Sequence, residues 1–212
     1  QRGKQLSGGS GTVYRVPNSV SIDRTVQLVV KFSRMGQDVP LQVSSRFPNE
    51  LARHELDSAS FNDPFQEFGL LNELRDGRFG PSHRKVRTKR PLAIYAPGRE
   101  FQPWQLGRSE DLFRRHQYQM AKDQQGLQPG MTPVELSVHR QYVYLFHWVR
   151  GVDAESLMRM GLLSPKDVAK LVSDVNKDLA AKGFRVLDNK PNHIILRQRP
   201  CGEIVTRAGR PS

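Results

Sequence analysis

The sequence has little cysteine, few acidic residues and no long apolar run. Its 212 residues include one cysteine, Cys201, so an internal disulfide is excluded. A reducing, cytoplasmic compartment fits this usage. No apolar segment approaches the roughly 18 residues that a membrane helix requires, and no signal peptide or internal repeat is visible. We therefore expect a chain without a membrane span.

Acidic residues are also outnumbered. The chain has 21 Asp and Glu against 33 Lys and Arg, which gives a net charge of +12. This charge favours anionic partners such as nucleotides, nucleic acid, acidic proteins or anionic lipid surfaces. Apolar residues make up only 37%, which indicates sizeable polar loops around an adequate core. The length fits one domain or two modest lobes.

Three glycines come before the first clear strand. Gly8, Gly9 and Gly11 allow the backbone to bend closely over a ligand. Residues 12–16, which include Val13, predict a strand directly after them. Taken alone, this pattern is more typical of a flexible hairpin turn.

Two charged residues lie within apolar segments that follow. Residues 27–32 predict a buried strand that carries Lys31 near its end, and residues 64–74 predict a helix. Glu67 shares the helix face of three leucines, and a carboxylate on an apolar stripe is costly unless it is paired. We therefore expect Glu67 to pair with Lys31; the alternative is a Glu at the edge of the stripe that reaches solvent.

The start of that helix has its own signals. Asp63 is a suitable N-cap, Pro64 suits the first helical position, and Gln66 can complete a capping box. An amphipathic piece near residues 49–56 precedes it. These signals predict where the helix begins, and so where Glu67 lies.

The middle of the chain is basic and irregular. Residues 84–90 form a basic run, and residues 91–96 predict a strand. The run could contact a nucleic-acid backbone, but no interleaved aromatics indicate base stacking, which argues against nucleic acid as a partner. Residues 97–140, with one helix near 110–122, read as an insertion rather than a core element.

The last third alternates strands and helices. Residues 141–151 predict an apolar strand that breaks at Gly151. His147 could indicate catalysis or metal binding, but one histidine among aromatics is more typical of a packing residue. Asp153 caps a short helix over 154–160, and Ser164 caps a longer one that ends at Gly183. Residues 184–196 then predict a strand, a tight polar loop and a second strand. That second strand forms a hairpin with residues 203–206.

The polar loop contains Asp188, Lys190 and Pro191, and its order Asp-x-Lys-Pro resembles the catalytic loop of protein kinases. Other segments resemble kinase motifs in the same order: the glycine loop, the strand with Lys31, and the helix with Glu67, which is similar to the kinase αC helix. The alternative interpretation is that this loop is an ordinary polar turn between two strands, without a catalytic role.

The resemblance implies an α+β, protein-kinase-like, two-lobed fold. Residues 1–146 would form the N-lobe, an antiparallel sheet plus the αC helix, with an insertion at about 97–140. Residues 147–212 would form the hinge and an incomplete helical C-lobe that carries the catalytic-loop-like segment. The chain would bind ATP between the lobes and transfer its γ-phosphate to a protein hydroxyl.

The same resemblance implies roles for individual residues. Those that would bind ATP are Gly8, Gly9, Gly11, Val13, Lys31, Glu67, His147 and Val149, with Phe146 as gatekeeper. Lys31 would contact the phosphates, Glu67 would hold Lys31, and the backbone of 147–149 would meet the adenine ring. Asp188 would accept the substrate proton, and Lys190 would offset charge on the γ-phosphate.

Departures from the kinase pattern bear on catalysis. Val186 replaces the His of the catalytic loop, His193 replaces the Asn that binds the second magnesium ion, and no Asp-Phe-Gly follows Leu196. Imidazole is a poor magnesium ligand, which makes His193 a weak metal candidate. Either the sequence is a piece of a longer chain, or the activation segment has been discarded.

These departures keep other functions open. One alternative is a catalytically inactive pseudokinase that acts as a regulatory or scaffolding module for a protein partner. Another is a small-molecule kinase of the aminoglycoside type, although Lys190 and Pro191 favour protein kinases. A basic nucleic-acid-binding protein rests on charge alone.

Overall fold

A computed structural model describes residues 3–6, 13–21, 24–39, 60–76, 87–124, 135–186, 189–207 and 210–211. Helices and antiparallel strands both occur in these ranges, which confirms the α+β class. The described residues of 3–39, 60–69 and 91–146 form one unit, and those of 70–90 and 147–211 form a second. The predicted amphipathic piece at 49–56 lies outside the described residues.

The first unit contains a five-stranded sheet. Its strands are β1 (Lys4–Gln5), β2 (Val13–Ser21), β3 (Arg24–Phe32), β4 (Pro91–Tyr95) and β5 (Val143–His147), in the order β1-β2-β3-β5-β4. Antiparallel pairing joins β1 to β2, β2 to β3, and β4 to β5. The β-branched and aromatic residues of these segments suit a half-buried pleated surface.

Helices account for most of the remaining regular structure. They are α1 (Pro64–Asp76), α2 (Glu110–Gln124), α3 (Ala154–Arg159) and α4 (Pro165–Ala180), with 3-10 turns at Pro103–Leu106 and Pro191–His193. The predicted helices therefore form near the predicted positions. No helix of the described ranges is both long and apolar enough to cross a membrane.

The core of the first unit draws on the segment that reads as an insertion. Phe113 from α2 and Leu136 pack with Met35 and Tyr142, and each of the four is at most 5% exposed. The interpretation of residues 97–140 as lying outside the core is therefore wrong at Phe113 and Leu136. The sequence gives no clear sign of their burial, because they are isolated apolar residues among Gln, Arg and Gly.

A buried arginine holds the same segment in place through hydrogen bonds. The Nη1 atom of Arg108 donates to the carbonyls of Val138 and Arg140, both at 2.7 Å. Burial lowers the pKa of Arg108 to about 10, because a guanidinium loses hydration inside the protein. The two bonds fix the chain just before β5.

The second unit packs α3 and α4 around a small core. Ala154, Leu157, Val172, Ile194 and Leu196 are its buried members. A two-stranded sheet of β6 (Val152–Asp153) and β7 (Ile195–Leu196) adjoins it, and β8 (Thr206–Arg207) pairs with β9 (Arg210–Pro211). The apolar stripe of α4 thus packs into this core, as its 3.6-residue spacing predicts.

Both α3 and α4 begin at the N-cap residues that the sequence predicts. Asp153 accepts from the Ser156 amide at 2.8 Å, which starts α3. Ser164 accepts from the Asp167 amide at 3.1 Å, and its own amide donates to the Asp167 carboxylate at 3.1 Å. The sequence signals therefore located these helix starts to the residue.

One prediction for the region after α4 needs correction. Residues 184–186 are not a strand, because the Phe184 amide turns back to the Leu179 carbonyl at 3.0 Å and closes the helix end. β7 itself pairs with β6.

The predicted hairpin between residues 194–199 and 203–206 does form. Gln198 makes an antiparallel bridge to Ile204, and the Arg199 amide donates to the Glu203 carbonyl at 2.8 Å.

Gly151 permits the β6 and β7 pairing. Its φ is +148°, and a Cβ at this position would overlap the Leu196 carbonyl oxygen and approach Ile195. Only glycine allows the two backbones to approach this closely. The break predicted at Gly151 thus has a packing role.

Candidate functional site

Lys31 is held by the hairpin of β2 and β3. It is the last but one residue of β3 and lies directly opposite Val13 in the antiparallel register. Its side chain is 25% exposed, so the ammonium is only partly hydrated. Val13 is the one described residue of the predicted glycine-loop set, since Gly8, Gly9 and Gly11 lie outside the described residues.

Glu67 is positioned by the start of α1. The Oδ1 atom of Asp63 accepts from the amides of Phe65 at 2.7 Å and Gln66 at 2.9 Å, and the Gln66 side chain accepts from the Asp63 amide at 3.2 Å. This is the predicted capping box. The Glu67 amide donates to the Asp63 carbonyl at 3.0 Å, so the cap fixes the backbone at Glu67.

The structure brings Lys31 and Glu67 into contact. The Lys31 Nζ lies 2.6 Å from Oε2 and 2.8 Å from Oε1 of Glu67, and the Glu67 side chain is 16% exposed. Both distances are those of charge-assisted hydrogen bonds. An ammonium has three donors and this carboxylate uses two of them, so Lys31 retains the capacity to contact an anion.

Tyr144 on β5 completes the surroundings of the pair. The Lys31 Nζ lies 5.3 Å from the centre of its ring, and the residue is 1% exposed. Burial, followed by the nearby Glu67 charge, raises the pKa of Tyr144, because both disfavour a phenolate. The buried phenol therefore stays neutral beside the ion pair.

The predicted hinge residues follow β5. Phe146 is fully buried, whereas the His147 side chain is exposed, so its interpretation as a packing residue is wrong. The strand ends there and turns His147 outward. The His147 amide already donates to the Arg90 carbonyl at 2.9 Å. Among the described residues, the Val149 backbone makes no hydrogen bond, and its side chain is half-buried.

The catalytic-loop-like segment lies in the second unit. Lys190 is half-buried and precedes the 3-10 turn Pro191–His193, in which Pro191 is buried and His193 is exposed. The Asn189 side chain donates to Asn176 of α4 at 2.6 Å. These contacts anchor both sides of Lys190, while Asp188 lies outside the described residues.

Metal-ligating side chains are sparse where the structure describes the chain. In those ranges, no three His, Cys, Asp or Glu residues lie close enough together to hold a metal ion. His193 thus belongs to no such cluster there. Cys201 is exposed and has no disulfide partner.

Sequence reasoning missed Tyr144. Tyr144 stands two residues before Phe146, so both side chains point to one face of β5, where their rings stack at 5.7 Å. The two-residue period of a strand places Tyr144 on the same face as a predicted buried phenylalanine, and this spacing was the available signal for its burial.

Comparison with known proteins adds no assignment: no family model, no curated protein and no solved structure matches this chain. A functional assignment therefore rests on the geometry around Lys31 and Glu67.

Proposed function

We propose that this chain is a protein-kinase-like, two-lobed domain that binds ATP through Lys31. The observation that carries the proposal is the ion pair between the strand residue Lys31 and the helix residue Glu67, which are 36 positions apart and 2.6 Å from atom to atom. In the kinase pattern, such a pair orients the lysine toward the α- and β-phosphates. An antiparallel sheet with this helix also fits the N-lobe of that pattern.

The test is a calorimetric titration with ATP, with and without magnesium. Lys31→Met removes the ammonium but keeps an apolar stem, and it should weaken ATP binding by about tenfold or more, the worth of one or two hydrogen bonds to charged groups. Lys166→Met, at an exposed position of α4, is the matched control and should bind as the native chain does. Equal affinities for native protein and Lys31→Met would contradict the proposal.

The proposal extends to phosphoryl transfer onto a protein hydroxyl. Asp188 would accept the hydroxyl proton and Lys190 would offset charge on the γ-phosphate. Magnesium bound with ATP would neutralise charge on the phosphates. Support comes from the anchored loop, in which the buried Pro191 holds the backbone next to Lys190.

Transfer of labelled γ-phosphate to a mixed peptide library measures this step. Asp188→Asn should abolish transfer and leave ATP affinity within about twofold, because the proton acceptor is lost and the charge-bearing contacts of Lys31 are kept. Asp111→Asn, an exposed change on α2, should transfer normally. Undiminished transfer by Asp188→Asn would exclude the assigned role.

One observation favours a second candidate, an inactive pseudokinase that regulates or scaffolds a protein partner. His193 stands where the kinase pattern has a magnesium-binding Asn, and imidazole suits magnesium poorly. Under this candidate the native chain binds ATP but shows no transfer with magnesium or manganese. A cytoplasmic location goes with either candidate, since the exposed Cys201 suits a reducing compartment.

A further inference from the structure

The first unit contains a cleft of about 580 Å³, and neither Lys31 nor Glu67 lines it. Its described lining comes from α2, from residues 135–142 and from Glu100. Sites for small organic molecules have volumes of about 300 to about 1,000 Å³. The cleft is therefore large enough for an organic ligand rather than only for an ion or a water molecule.

The buried part of the lining is apolar. Phe113, Leu136 and Tyr142 all line the cleft, and each is 5% exposed because it also packs in the core of the first unit. The Tyr142 hydroxyl accepts from the Ser137 amide at 3.0 Å, which fixes this wall. A ligand with an apolar body would cover aromatic and aliphatic surface that the core already holds in place.

The charged part of the lining leaves one carboxylate over. Arg114 lies 3.6 Å from Glu110, and Arg140 lies 4.0 Å from Glu100. Glu135 is exposed in the same lining, and its carboxylate makes no ion pair or hydrogen bond with the described residues. An anionic ligand would have to compete with the glutamates for both arginines, whereas a cation finds Glu135 unpaired.

A histidine in the lining offers a further acceptor. The Nδ1 atom of His139 lies 3.1 Å from the Phe101 carbonyl oxygen, which can only accept, so Nδ1 donates. The neutral ring then presents Nε2 as an acceptor. A protonated amine has three N–H donors and no acceptor, so acceptors of this kind suit it.

We propose that this cleft binds a small protonated amine that carries an aromatic or aliphatic body. The body lies on the apolar part of the lining, and the ammonium contacts Glu135. The net charge of +12 repels a cation at long range, but salt screens charges beyond about 8 Å, so the closer carboxylate decides the preference. The proposal does not depend on ATP binding, because Lys31 and Glu67 are not part of this lining.

Three compounds of similar shape separate charge from apolar contact. Near pH 7, 2-phenylethylamine is a cation, 2-phenylethanol is neutral and phenylacetate is an anion. Titrations followed by ¹⁵N–¹H NMR give each dissociation constant, and a shift of the Ser137 amide places the ligand, since this amide bonds the Tyr142 hydroxyl in the lining. The amine should bind about threefold or more tighter than the alcohol, and phenylacetate more weakly than the alcohol.

Two variants test the assigned contact. Glu135→Gln should reduce the advantage of the amine over the alcohol to less than about twofold and leave the affinity of the alcohol unchanged. Asp111→Asn is the matched control, because it also removes an exposed negative charge, next to Glu110 on α2, but does not line the cleft. Its affinity for the amine should stay within about twofold of the native value.

Several outcomes would overturn the proposal. They are equal affinities of the native chain for amine and alcohol, tighter binding of phenylacetate than of the amine, and equal losses in Glu135→Gln and Asp111→Asn. A titration with 2-phenylethylamine that produces no saturable shift of the Ser137 amide would overturn it as well. None of these outcomes bears on the ATP contact of Lys31, which the calorimetric titration tests separately.

Discussion

Lys31 and Glu67 are half-buried rather than enclosed, since 25% and 16% of their side chains stay exposed. A pair in this position gains some Coulomb attraction and loses some hydration, so its net contribution to stability is about 1 kcal/mol. Under the proposed function the pair has a further role, which is to orient the Lys31 ammonium, and the cap at Asp63 holds Glu67 in place for it.

The first prediction at the residue scale concerns pH. The raised pKa of Tyr144 means that the folded state keeps this proton while the unfolded chain releases it near the ordinary value of 10.0. Stability from this residue is therefore complete below about pH 10 and declines as the pH rises further, by up to about 1.4 kcal/mol per pH unit. Tyr144→Phe lacks this decline.

Urea unfolding of the native chain and Tyr144→Phe between about pH 8 and about pH 11 measures it. Only the difference between the two free energies of unfolding is used, because the other titrating groups are common to both. That difference should be constant below about pH 10 and fall above it. A difference that stays constant throughout would mean that the phenol titrates alike in the folded and unfolded states.

At the scale of elements, two helices begin with similar capping boxes but serve different regions. Asp63 is fully buried and starts α1, which carries Glu67, whereas Ser164 is exposed and starts α4 in the second unit. Removal of either cap should lower the free energy of unfolding by about 1 kcal/mol. The consequences for the ion pair should differ, because only α1 holds Glu67.

We predict that Asp63→Ala weakens ATP binding and that Ser164→Ala does not. Loss of the Asp63 cap releases the first turn of α1 and displaces Glu67, so an affinity loss of about threefold or more is expected. Calorimetry with ATP and urea unfolding of both variants measure the two quantities. Equal ATP affinities in two variants that have lost similar stability would show that the start of α1 does not position Lys31.

The elements also show what the sequence could and could not predict. Caps at Asp63, Asp153 and Ser164 depend on residues a few positions apart, so sequence signals located them. The pairing of β6 with β7 joins residues more than 40 positions apart and depends on the close approach at Gly151. The pairing of Lys31 with Glu67 was predictable because an unpaired carboxylate there would be costly. The contact of Lys31 with the Tyr144 ring was not predicted, since it joins residues 113 positions apart.

At the scale of the whole molecule, the net charge of +12 creates a positive field. Such a field raises the local concentration of anions, and salt screens it over about 8 Å at physiological ionic strength. ATP is a multiply charged anion, so its binding should depend on both the field and the direct contact with Lys31. Adenosine shares the base and sugar but has no charge, which makes it the matched control ligand.

We therefore predict that ATP affinity, measured without magnesium, falls about tenfold or more between about 50 mM and about 500 mM potassium chloride, while adenosine affinity changes by less than about twofold. Isothermal titration at each salt concentration measures both. In Lys31→Met the slope for ATP should be shallower, because the nearest cation is gone and only the distant field remains. Parallel salt responses of ATP and adenosine would mean that the phosphates lie away from the positive charge, and would count against Lys31 as their contact.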